Sequence, residues 1–479
     1  MQIVLCKILL LFTWYQQLEC AKILVYSYAT GYSHVQYLCR LSDALVGAGH
    51  DVTVLMVGKN SEFNTTGTTS AKIVRWERHK HQFSFKIDSK KAWESAGFTN
   101  TINIFKGIGE ELEQLCEDQL PGQTSEFLMD HHFIDQLRAE KFEFGLCELF
   151  YGCAYGLFRK IGIDNYVTGI PFNLQEVMTD PNSIRQSSFL FVNSDEHLDF
   201  PRLISRKVVF VGGIARQSAR PLKDEYKIMM EEAKDGAVLI AFGAYAKSSE
   251  MNSYLKEALV DAFKSMPDLK FIWKYENEND DTVAAPNIVR RNWIPQNDLL
   301  SKSKLNPGKF SDHPNLRAFI THCGLNSLIE SVWAGVPIIC IPLFGDQLRN
   351  AKIVEKWGIG ISLNKMTLKS QVLLATLHDV LSNDKYQKMT LKLKQMMAEK
   401  PFTPREQFLR NVEYAIKFGP LQHFDIAGNN LNIFEYYSLD IIIPLLLSFL
   451  LLVLLLMKCI VKTSKKCWRK IYRINVKRD

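Results

Sequence analysis

Residues 319–347 read FITHCGLNSLIESVWAGVPIICIPLFGDQ: an apolar strand, a histidine, a small-residue turn, a short helix, Gly335 and a second apolar strand. No other stretch constrains the fold as strongly. Two buried strands separated by a helix belong to an open parallel sheet, because the helix must carry the chain back along one sheet face. The polar residues stand at the ends of these elements. Ligands of such sheets bind outside the carboxyl ends of the strands.

The same alternation opens the chain after residue 20. KILVYSYATGYSHVQYLCRLSDALVGAGHDVTVLMVG predicts a strand at 22–28, a helix at about 34–48 with Ser33 as N-cap and Gly49 as stop, and a strand at 51–57. Strand signals return at 142–150, 188–194 and 207–213. Residues 214–236 are polar, contain Arg-Pro and read as a linker. Strands at 237–244, 270–276, 287–294, 317–322 and 336–342 follow, with helices at 251–265, 326–334, 368–383 and 385–399. The expectation is two α/β domains, 21–213 and 237–435, facing a cleft.

Both ends carry other signals. Residues 1–20 combine a lysine with a short apolar core and read as a secretory signal peptide, an N-terminal anchor being the alternative. Residues 436–457 read as a transmembrane helix, with Tyr436 and Tyr437 at its edge and an uncharged apolar run at 441–457. The tail, 458–479, holds nine Lys or Arg and one Asp, so +8 of a total of +7 leaves the rest at −1. The basicity is therefore a positive-inside tail on the cytosolic side and argues against nucleic-acid binding. Asn64 begins the sequon NTT and is a candidate glycosylation site. Six cysteines, at 39, 116, 147, 153, 323 and 340, lie outside the terminal segments in no metal-binding spacing, and any disulfide among them is left open.

The chemistry concentrates around 293–347. Asn326 and Ser327 sit where a helix begins, and its first N–H groups favour an anion. His322 adds a donor, Glu330 offers a carboxylate to vicinal ribose hydroxyls, and Asp346 and Gln347 suit sugar hydroxyls. Trp293 and Gln296, in WIPQ, supply a flat ring for a base and an amide. Singly, each has a plainer explanation: Asn326 as an N-cap, Glu330 on a solvated face, Trp293 in the core. Together they describe a nucleotide-sugar pocket.

That spacing resembles UDP-glycosyltransferases of the UDP-glucuronosyltransferase type. The match runs through F-I-T-H-x-G, the acid six residues after Gly324, Pro337, Pro342 and the D-Q ending, and through W-x-P-Q with D-L-L at 298–300. The resemblance covers nearly the whole chain. It implies a GT-B architecture of two Rossmann-like domains with the donor in the second. Trp293 would then stack on uracil, His322, Asn326 and Ser327 face the pyrophosphate, Glu330 hold the ribose, and Asp346 with Gln347 the sugar. GYSHVQ resembles the segment of the catalytic histidine, which makes His34 the base; ELFYGC supplies Glu148 as its carboxylate partner where many relatives carry Asp. A lone His34 would more often be a surface residue. At a helix start, the dipole is expected to keep its ring neutral. The implied reaction is inverting transfer of a hexosyl group from UDP-glucuronate or UDP-glucose to a hydroxyl of a small lipophilic acceptor. No D-x-D pair occurs, and neither metal nor cofactor is expected.

Three departures stand out: Ala244 where relatives place a donor-contacting Ser, an insertion at 301–312, and a shortened stretch between 158–163 and 192–196. They sustain an alternative, an impaired membrane-anchored relative that acts by binding or hetero-oligomerisation. Homo-oligomers are equally open. Type I topology in the endoplasmic reticulum, with a luminal catalytic body, follows from the resemblance.

Overall fold

A computed structural model of the chain describes residues 20–29, 31–58, 67–76, 89–96, 126–149, 152–172, 186–216, 220–233, 235–300, 316–425, 428 and 431–475. The signal segment up to residue 19, Asn64 and the 301–312 insertion lie outside the described residues. The chain forms two compact units, 1–422 and 423–479.

The first unit contains two sheets. One has seven strands: β1 (Lys22–Tyr28), β2 (Asp51–Val57), β3 (Lys72–Trp76), β4 (Phe144–Glu148), β5 (Tyr166–Ile170), β6 (Leu190–Val192) and β7 (Val208–Phe210), in the order β3-β2-β1-β4-β5-β6-β7. The other has six: β8 (Ala237–Ala241), β9 (Lys270–Lys274), β10 (Ile288–Arg291), β11 (Leu316–Thr321), β12 (Ile338–Cys340) and β13 (Gly360–Ser362), in the order β10-β9-β8-β11-β12-β13. All these pairings are parallel. Strands of a parallel sheet are covered on both faces, which is why KILVYSY is buried from Ile23 to Tyr28 without alternation. The strand order reverses between β1 and β4 and again between β8 and β11, leaving a crevice at the strand ends of each sheet.

Several elements differ from the sequence reading. The first helix is Tyr32–Val46 with Gly31, not Ser33, as N-cap. The polar stretch 214–236 contains the helix Asp224–Glu232, which buries Tyr226 and Met230 against Ala237 and Leu239 of β8. Two apolar residues one turn apart give too weak a periodicity to stand out there. β3, β5, β13 and the helix Pro404–Phe418 had no counterpart in the reading. Despite the shortened segment, β5 and β6 pair directly, Thr168 with Leu190, so the first sheet is continuous. Cys323 and Cys340, at the ends of the adjacent strands β11 and β12, form a disulfide.

Each half lends a segment to the other. Helix Pro404–Phe418 packs Phe408 on Phe191 of the first sheet, ring centroids 4.7 Å apart. Asn165 Nδ2 there donates to the Ala415 carbonyl at 2.6 Å. In exchange, Ala92 and Trp93 of the helix Ser89–Glu94 join the core of the second sheet, and Trp93 Nε1 donates to the Lys247 carbonyl at 2.8 Å.

The second unit holds the helix Leu439–Asn475. Its segment Leu439–Lys466, whose most apolar 18-residue window has a mean hydropathy of 2.9, is long and apolar enough to cross a membrane. The helix runs past residue 457 into the basic tail.

Candidate active site

His34 and Glu148 stand at the reversal point of the first sheet. β1 ends at Tyr28 and the next helix begins at Tyr32, so His34 falls in its first turn. Glu148 is the last residue of β4, and the register pairs its neighbour Cys147 with Tyr26. His34 Nδ1 lies 2.6 Å from Glu148 Oε1. Glu148 is fully buried, and its Oε2 has no partner among the described residues. A carboxylate in such a place is costly unless paired, and the imidazole provides the pairing. Burial acts to lower the His34 pKa. The Glu148 charge, its hydrogen bond and the Asp346 charge together outweigh burial and raise the pKa above the ordinary histidine value. The helix start, expected to hold the ring neutral, works against these two carboxylate charges.

His322 follows β11 at the second reversal point. A Cβ at Gly243 or Gly324 would come within 2.8 or 2.6 Å of its Nε2, so both positions need glycine, and Gly243 also has φ of +81°. Burial and the nearby Lys274 charge lower the His322 pKa to about 4, partly offset by a hydrogen bond to the Ala241 carbonyl. The ring is neutral at pH 7. Gly324 is the N-cap of helix Leu325–Ala334 and brings no capping side chain, so Asn326 and Ser327 stand in a first turn with orphan N–H groups.

The remaining donor candidates cluster around that helix. Gln296 Nε2 donates to Glu330 Oε2 at 2.7 Å and lies 3.3 Å from Ser327 Oγ. Burial raises Glu330 to about 7, against the Gln296 hydrogen bond and the Arg216 charge. Trp293 is 60% exposed, with Tyr32 edge-on at 6.3 Å and Lys274 Nζ 5.8 Å from its ring centroid. Asp346 Oδ2 accepts from Asn350 Nδ2 at 2.8 Å, and burial raises its pKa despite that bond and the His34 charge. Gln347 is 4% exposed, and its Oε1 accepts from the N–H groups of Leu343 and Phe344 at 2.9 and 3.1 Å. Half of this amide holds the turn after β12, so only Nε2 remains for a sugar.

Asn193, directly after β6, was missed by the sequence reading. Its Nδ2 donates to Asn326 Oδ1 at 3.0 Å, tying the first sheet to helix Leu325–Ala334. The one signal was an amide closing the apolar run FLFV. Among the described residues, Asp195, Glu196 and His197 bring possible metal-ligating atoms within 4.8 Å of one another. Lys400 forms ion pairs with both Asp195 and Glu196, so this group already has its cation.

The two-sheet arrangement recurs in a crystal structure titled as the glycotransferase of kitacinnamycin, with a TM-score of 0.58, 16% identity, and coverage of 82% of this chain and 99% of that one. The likeness defines the fold alone: the architecture is GT-B, that of a class of glycosyltransferases. Sequence narrows the class. The family model "UDP-glucoronosyl and UDP-glucosyl transferase" matches residues 163–474, and the chain belongs to that family. It is a UDP-glycosyltransferase. A Caenorhabditis elegans protein with the provisional name UDP-glucuronosyltransferase ugt-47 is 25% identical over 501 residues, covering 88% of this chain and 89% of that protein. UDP-glucosyltransferase 2 of Dactylopius coccus is 32% identical, covering 57% and 50%. Human UDP-glucuronosyltransferase 1A1 is 31% identical, covering 63% and 54%.

Proposed function

We propose that the chain transfers a glucuronosyl or glucosyl group from its UDP-sugar to a hydroxyl of a small lipophilic acceptor, with inversion and with His34 as base. The observation that carries this reading is the 2.6 Å contact between His34 and Glu148. Glu148 orients the imidazole and stabilises the imidazolium that forms when His34 takes the acceptor proton. The acceptor oxygen attacks the anomeric carbon as the bond to UDP breaks. Charge developing on the diphosphate is met by the first turn of helix Leu325–Ala334 and by His322. No step calls on a metal. Trp293 stacks on the base, Glu330 with Gln296 receives the ribose, and Asp346 with Gln347 Nε2 receives the sugar.

Both donor sugars occur in the names of the relatives, UDP-glucosyltransferase 2 and UDP-glucuronosyltransferase 1A1, so both are carried forward. The intact pair at His34 favours catalysis over the impaired alternative. The helix Leu439–Lys466 is the membrane anchor of this reading, with the body in the lumen of the endoplasmic reticulum. The test is UDP release from each UDP-sugar with a panel of phenols. Turnover is expected in the wild type and its loss in His34→Ala. Absence of turnover in both proteins would reject the catalytic reading.

A further inference from the structure

A cavity of about 380 Å³ lies among four segments of the first unit, and of its lining residues only Arg216 reaches the site above, through its charge on Glu330. Helix Tyr32–Val46 contributes Arg40 and Asp43, the chain after β7 contributes Arg216, helix Leu325–Ala334 contributes Trp333, and the start of helix Pro404–Phe418 contributes Thr403 and Arg405. Three guanidinium groups thus face one carboxylate. That carboxylate is already engaged: Asp43 accepts from the Thr68 hydroxyl and from the N–H groups of Thr69 and Ser70, and Arg40 is 3.5 Å away.

The cations are less fully engaged. Arg405 Nη2 donates to the Ala44 carbonyl at 3.3 Å, and Arg216 lies over the Trp333 ring at 4.9 Å. Arg40 Nε and Trp333 Nε1 are buried and donate to nothing among the described residues. Buried donors of this kind ordinarily find a partner. The helix start at Thr403 is already capped by Thr403 and Glu406. Side chains, then, make the site.

We propose that this cavity binds a small phosphate-bearing anion, held by Arg216 and Arg405 with Arg40 and the Trp333 N–H completing its acceptors. A doubly charged group matches the excess of two guanidinium charges, and planar forks suit its oxygens better than a single ammonium would. The lining comes from helices that follow strands of both sheets and from the chain after β7, so the ligand would bridge the two halves.

The experiment is calorimetric titration of the full chain in detergent, with and without saturating UDP to mask the donor site. Inorganic pyrophosphate probes a free ligand, and inositol 1,4-bisphosphate probes a lipid headgroup; the tighter of the two assigns the source. Binding that UDP does not displace is expected, weakening with salt. The double variant Arg216→Gln, Arg405→Gln should weaken it by about tenfold or more, and Arg405→Gln alone should weaken it by about threefold while UDP affinity stays within about twofold. Arg216→Gln alone, at an exposed position, serves if the double variant unfolds, with a loss of about threefold expected. Failure of both probes to bind in the presence of UDP, or binding unchanged by the substitutions, overturns the proposal.

Discussion

Replacing Glu148 by Gln keeps the shape of a fully buried side chain and removes its charge. The 2.6 Å contact to His34 is of the charge-assisted kind, which nets about 1.5–3 kcal/mol. Unit charges about 4 Å apart interact by about 4 kcal/mol at an effective dielectric constant near 20. In the proposed mechanism the imidazolium forms as the acceptor proton moves, so most of this loss falls on the transition state. A loss of about 3 kcal/mol corresponds to about a hundredfold fall in kcat/KM for Glu148→Gln. KM for the UDP-sugar should stay within about twofold, because Glu148 touches none of the donor candidates.

The pH profile supplies a second reading of the same variant. As the proposed base, His34 would act only when unprotonated, so kcat/KM should climb as pH rises through its raised pKa. Without the Glu148 charge, burial has less opposition, the pKa falls, and the acid limb moves to lower pH. In stability the sign is opposite. The pair stabilises the fold fully below the unfolded histidine pKa, and the contribution is lost as pH rises through the raised folded value. Initial rates of UDP release between pH 5 and 9, on purified wild type and variant, measure the profile, and thermal melts over that range follow stability. A loss of less than about threefold together with an unmoved acid limb would refute the account, since a paired base cannot lose its counter-charge without either effect.

Further outcomes follow from other contacts. Trp293→Ala should weaken UDP by about tenfold, as base–aromatic stacking contributes about 1–3 kcal/mol, measurable by calorimetry. Glu330, raised to about 7, would in the proposed reading accept from both ribose hydroxyls only when ionised. Uridine affinity, followed by NMR titration, should therefore rise as pH passes through about 7, and Glu330→Gln should flatten that rise. Phe408→Ala empties a fully buried position on the first sheet and should cost about 3–5 kcal/mol, seen as a lowered melting temperature. A chain ending before Leu439 should leave the membrane fraction in an alkaline carbonate wash, whereas the full chain should remain there.

What the sequence determined by itself was local. The strand–helix–strand units at 22–57 and 319–340 were legible because each buried element is contiguous and its polar residues fall at its ends. The donor candidates from Trp293 to Gln347 could be read together because neighbouring segments of one sheet bring them together whatever the rest of the chain does. Only tertiary structure decided that His34 meets Glu148 across a sequence separation of 114, that Asn193 reaches Asn326, and that Gln347 spends its carbonyl on the turn after β12. It also decided that helix Pro404–Phe418 belongs with the first sheet and Trp93 with the second core. The reason is physical. Periodicity records which face of an element avoids water, whereas the choice among apolar surfaces, the partner of a buried amide and the balance of charges at a histidine depend on groups far away in the chain.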